Sequence, residues 1–101
     1  MKREYQQKNH FFHFQKLLFN LFRFVYKVKI NPVDYKRLCR VFEKLGWVFV
    51  RQKGDHLIYE KQGFTRPVVI PMYRTIPVFI IKNNLRTAKI SREEYLLILK
   101  S

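Results

Sequence analysis

Acidic residues are scarce in this chain of 101 residues: seven Asp and Glu stand against twenty-one Lys and Arg, a formal net charge of +14. So large an excess of cation predicts a polyanionic partner, either nucleic acid or an anionic membrane surface. Cysteine is nearly absent. Cys39 stands alone, which excludes an intramolecular disulfide and a thiolate metal cluster and fits a reducing cytoplasm. Of the three histidines only His10 and His13 are close in sequence, so neither a metal nor any other cofactor is expected. Apolar runs are also short. The longest candidate, Phe11 to Ile30, is interrupted by Lys16, Asn20, Arg23 and Lys27, too much charge for a transmembrane span of about twenty largely apolar residues. It lacks a small-residue cleavage site, which argues against a signal peptide. No internal repeat or low-complexity stretch is present.

What the chain does have is core material. Its 48% apolar and 17% aromatic content argues against disorder, and its length suits one domain with a single modest core. The cations are divided between two parts. Residues 1–30 hold seven cations and one acid, residues 31–101 fourteen and six, so the second part is basic without the first. On a helix, Lys16, Asn20, Arg23 and Lys27 fall in a narrow arc with His13, opposite the aromatics, which makes a basic amphipathic helix. This extension reads as an extra helix packed on the domain, as a segment lying on a membrane surface or a partner, or as a stretch outside the mature protein, translation starting near Val28. Stable membrane insertion is not expected.

From Asn31 the pattern becomes that of a compact domain, residues 31–101. Asn31 is a good N-cap and Pro32 suits the first helical position. Leu38, Val41, Phe42 and Leu45 follow with core-facing helical spacing, and Gly46 closes the helix. Lys36, Arg37, Arg40 and Lys44 lie off that stripe, as a solvated face or as contacts to nucleic-acid backbone. Trp47 to Val50, Leu57 to Tyr59 and Arg66 to Pro71 read as three strands joined by short turns, most simply an antiparallel meander. A helix over about Val78 to Ala88 follows. Ser91 with Glu94 then forms a capping box, and Ile90 with Tyr95 a hydrophobic staple, for a last helix. The result is an α+β domain with its helices on one sheet face. Cys39 reads as a small apolar helix residue, and Trp47 and Tyr59 as core.

The first hairpin carries the chemistry. In Arg51-Gln52-Lys53-Gly54-Asp55-His56, Gly54 supplies the positive φ that a two-residue loop demands, and Asp55 is a habitual turn residue. His56 therefore opens the second strand beside two cations. Imidazole, with a reference pKa of about 6.5, exchanges protons near neutrality, and cations hold phosphate beside it. Taken alone, His56 reads more readily as an exposed strand-end histidine without a task.

The sequences "EKLGW", "VRQKGDHLIYE", "VVIP" and "LRTAKISREEYLLIL", in that order over about residues 32–99, resemble the HicA family of toxins. The resemblance implies a double-stranded-RNA-binding-like fold and an mRNA interferase (a metal-independent endoribonuclease) held inactive by a HicB-type antitoxin. It maps the family's catalytic histidine onto His56. There are departures: Asp55 stands where Ser is frequent, Tyr73 where many members carry a second His, and residues 1–30 have no counterpart in the usual short member. The Asp55 carboxylate is placed to orient the imidazole but adds negative charge near an RNA phosphate.

RNA carries its own nucleophile, the 2′-hydroxyl. The expected roles are proton transfer by His56, phosphate holding by Arg51 and Lys53, and close approach of RNA over the Gly54 backbone. Arg66, Arg74, Lys82 and Arg86 are candidates to extend the basic surface, because A-form RNA is recognised largely through phosphates and 2′-hydroxyls. Two alternatives use the same residues differently: a non-catalytic RNA-binding module of this fold, and a membrane-active basic peptide fused to a small domain.

Overall fold

The computed structural model of the protein describes residues 28–101. Of the amphipathic helix expected over 11–30, residues 11–27 lie outside the described residues, while Val28 to Ile30 are not helical and Val28 and Ile30 pack against the core. The described chain runs α1 (Tyr35–Lys44), β1 (Val48–Lys53), β2 (His56–Glu60), β3 (Val68–Pro71), α2 (Val78–Ala88) and α3 (Arg92–Lys100). The strands form one antiparallel sheet in the order β1-β2-β3. This is the expected α+β plan, a helix, a three-stranded meander and two helices, consistent with a double-stranded-RNA-binding-like arrangement. No helix among the described residues is long and apolar enough to cross a membrane.

One boundary differs from expectation. Helix α1 is capped by Asp34, whose Oδ1 accepts from the Lys36 N–H at 2.8 Å, and not by Asn31 with Pro32. Asp and Asn cap about equally well, so local preference does not choose between them. Long-range pairing does. Val33 is buried and bridges Ile76, its carbonyl accepting the Ile76 N–H at 2.7 Å, which holds residues 32–33 extended until Asp34.

Leu38, Val41 and Phe42 of α1, Tyr59, Val68 and Ile70 of the sheet, Ile81 and Leu85 of α2, and Tyr95 of α3 share one buried cluster. Trp47 meets the Phe42 ring edge-on at 6.2 Å between centroids, and its backbone N–H donates to the Phe42 carbonyl. Cys39 is buried here too, and burial pushes its thiol up, away from reactive thiolate. Helix α2 spans the expected residues and ends with Lys89 at φ 56°. The Ile90 N–H reaches back to the Leu85 carbonyl and the Lys89 N–H to that of Arg86, a Schellman closure. Ser91 caps α3 by accepting from the Glu94 N–H at 3.1 Å.

Strand register decides which side chains share a face. Leu57 pairs with Ile70 and Tyr59 with Val68, and these line the helix-covered side. By alternation, His56, Ile58, Val69 and Pro71 belong to the other side. In β1 the pairing steps from Phe49 opposite Tyr59 to Arg51 opposite Ile58, leaving Val50 as an extra, bulged residue. Phe49 therefore lies on the helix side, its ring 5.8 Å from that of Tyr59, whereas Arg51 and Lys53 emerge on the opposite side.

Tyr95 gives the fold a measurable pH dependence. Its hydroxyl is buried with no hydrogen-bond partner among the described residues. Burial, partly offset by Arg37, pushes its ionisation up to about 12 from the ordinary value near 10. Between those values the unfolded chain has lost the proton that the folded chain retains. This contribution is therefore complete below about pH 10 and is lost as pH rises toward 12. Urea unfolding across that range is expected to show stability falling with pH, and Tyr95→Phe to make the fall shallower. An unchanged slope in the variant would refute the assignment.

Candidate nucleic-acid interface and catalytic histidine

The site begins with a turn. Lys53 pairs with His56 across a two-residue loop in which Gly54 has φ 60°, the left-handed conformation that glycine enters without Cβ strain. A Cβ added at Gly54 would meet nothing within 4 Å, so packing leaves open space above the loop. The Gln52 side-chain amide donates to the Gly54 carbonyl at 2.9 Å and braces the turn. On the other side of β2, the Met72 N–H donates to the Asp55 carbonyl at 2.8 Å, tying the hairpin to the end of β3.

His56 is thus held by backbone pairing on both sides, to Lys53 and to Pro71, while its side chain stays 45% exposed. Its Nδ1 lies 2.8 Å from the Asp55 Oδ1. With Nδ1 engaged by the carboxylate, Nε2 is the ring nitrogen left for a ligand. Lys53 is its direct cross-strand neighbour on the same face, and Arg51, opposite Ile58, is two residues further along that face. Both cations are exposed. A solvent-accessible imidazole with an oriented ring and two cations on one sheet face suits a phosphodiester backbone.

Of the other residues singled out in the sequence, Arg74 lies in the connection after β3 that starts beside Asp55, at the His56 end of the sheet. Arg66 precedes β3 and so lies at the opposite end, roughly 10 Å or more away at about 3.3 Å per strand residue. Lys82 and Arg86 are exposed on α2, which packs on the other side of the sheet, and Arg86 engages the Asn83 side chain at 3.3 Å. The structure therefore groups Arg51, Lys53, Gly54 and His56, with Arg74 near them, and separates Arg66, Lys82 and Arg86. Tyr73 is exposed next to this end, its carbonyl accepting the Tyr35 N–H at 3.0 Å.

The sequence profile of one protein family, the HicA toxin of bacterial toxin-antitoxin systems, matches residues 35–90. The chain belongs to the HicA toxin family. The match opens on the first residue of α1, contains the whole sheet with the His56 hairpin, and closes just past α2. Helix α3 falls beyond it, so only the "LRTAKI" part of the closing resemblance lies within the matched HicA region. Neither the curated proteins nor the solved structures give a match to this HicA chain.

Two features of the HicA site were not read from sequence. The bulge at Val50 has no local signal, since Val is a regular strand residue and no glycine marks the position. Trp47 to Val50 reads from sequence only as a β-rich run, and Val48, Phe49 and Val50 prove to be 61%, 48% and 42% exposed. Missing polar alternation there was the available signal. Tyr59 and Trp47 are both core, as read: the Tyr59 hydroxyl donates to Glu43 Oε2 at 2.8 Å, and burial together with Cys39 and Glu43 raises its ionisation above the ordinary range.

Proposed function

We propose that the domain of residues 31–101 is the RNA-cleaving toxin of its toxin-antitoxin pair, an mRNA endoribonuclease acting in the cytoplasm and restrained by a HicB-type antitoxin. The observation that carries this reading is the shared sheet face: His56, with Nδ1 on Asp55, stands beside Lys53 and near Arg51 on a solvent-reachable surface.

The chemistry needs no cofactor. His56 Nε2 takes the proton of an RNA 2′-hydroxyl, and the alkoxide oxygen bonds to the adjacent phosphorus. The bond to the 5′-oxygen breaks, leaving a cyclic phosphate on one fragment and, after proton uptake, a 5′-hydroxyl on the other. Lys53 and Arg51 meet the charge that grows on the phosphoryl oxygens. Asp55 keeps the ring turned so that Nε2 faces the substrate. Gly54, with open space where a Cβ would stand, lets the RNA backbone come close. Arg74 is positioned to extend the phosphate track, while Arg66 and Lys82 would serve only an RNA that wraps past this surface.

Purified protein incubated with mRNA in EDTA is expected to produce fragments with 5′-hydroxyl ends, open to phosphorylation by a polynucleotide kinase without prior phosphatase. Loss of cutting in EDTA, or 5′-phosphate ends, would reject the mechanism. RNA binding without cutting under any condition would leave a binding module of the same fold.

A further inference from the structure

We infer that the outer edge of β1, with the groove beside it, is a strand-accepting docking surface for an acidic, partly apolar segment of the antitoxin. The role given below to Arg51 and Lys53 rests on the RNA-cleaving reading above.

The two edges of the sheet are not alike. β3 is four residues long and bracketed by Pro67 and Pro71, which cannot donate to an added strand. β1 is six residues long, exposed throughout, and among the described residues pairs only with β2. Its second half carries the cations Arg51 and Lys53, which discourage indiscriminate edge pairing. Its first half carries none. Val48, Phe49 and Val50 stand there as consecutive exposed apolar residues. Val48 and Val50 also line a groove of about 630 Å³ together with Gly46, Glu60, Lys61 and Phe64.

Charge selects the occupant. The edge runs from an apolar half into Arg51 and Lys53, and Glu60 is the one acid on the groove wall. A second copy would bring another chain of net charge +14 against this one. RNA would satisfy the two cations but gain nothing from Val48 and Val50. A strand with apolar residues followed by carboxylates matches both halves, hydrogen-bonding to the free β1 backbone as in β-strand addition. Its carboxylates would occupy Arg51 and Lys53, the cations assigned to phosphate. Docking and RNA binding then exclude each other, and inhibition does not require contact with His56.

The test uses the full chain and its cognate antitoxin. Hydrogen exchange is expected to slow at the amides of residues 48–51 when the complex forms. Val48→Lys is expected to weaken antitoxin binding by about tenfold or more, as a charge placed in an apolar contact does, while the free variant cuts RNA like wild type. Unchanged exchange at 48–51, or wild-type affinity in the variant, overturns the proposal. So does protection of the amides of residues 48–50 by RNA alone, or a concentration-dependent dimer in sedimentation that V48K dissolves. Failure of the RNA-cleaving reading would show separately, as free wild-type protein that does not cut, with the exchange and affinity results still deciding the docking surface.

Discussion

His56→Ala is expected to slow RNA cleavage by about 10²- to 10⁴-fold, the usual worth of a positioned general base. The fold should hardly notice. The side chain is 45% exposed, lies outside the buried cluster, and its polar contact is the 2.8 Å approach to Asp55. Substitutions at such positions typically change stability by no more than about 0.5 kcal/mol. RNA binding should persist, because Arg51 and Lys53 remain on the same face. Three measurements on one pair of proteins decide the matter: cleavage rate, RNA affinity and thermal midpoint. A variant that cuts within a few-fold of wild type removes His56 from the chemistry. A variant that loses binding and cleavage together makes it a contact residue instead.

Phe42→Ala should abolish toxicity by a different route, with no atom of the site touched. Phe42 is fully buried in α1, edge-on to Trp47, with its carbonyl accepting the Trp47 N–H. Removing a buried phenyl ring costs about 3 to 5 kcal/mol, part transfer and part residual cavity. Domains this small have roughly 0.05 to 0.15 kcal/mol of stability per residue, so a loss of that size consumes most of the total. The urea midpoint should fall sharply, and the protein should lose RNA cleavage and antitoxin binding together. A midpoint near that of wild type would mean that the core around Phe42 is not packed as described. The pair of variants separates a chemical loss from a structural one, which growth assays alone confuse.

Much of this fold is legible in the sequence because its signals are local. The apolar spacing after Pro77 bounds α2, Ser91 with Glu94 starts α3, and Gly54 with Asp55 sets the hairpin that carries His56. Where two local signals compete, legibility ends. Asn31-Pro32 and Asp34 are both sound helix starts, and the choice falls to a bridge between Val33 and Ile76, 43 positions apart. The site was legible to the same extent. Arg51, Lys53, Gly54 and His56 are close in sequence and therefore close in space. Whether Arg66 or Lys82 joins them depends on which end of the sheet and which layer each occupies, and nothing near those residues encodes it.

The bulge at Val50 makes β1 a matter of parity. A regular strand has one allegiance per alternate residue from end to end, so a strand that sends Phe49 to the helices would send Arg51 there too. One surplus residue lets the strand change sides halfway, setting Phe49 against Tyr59 in its first half and Arg51 and Lys53 beside His56 in its second. The cost is intolerance of odd numbers. Loss or gain of a single residue between Phe49 and Arg51 would turn both cations inward, whereas a change of two would return them to the side of His56. The spacing from Phe49 to His56 is thereby constrained more tightly than the identity of Val50 itself.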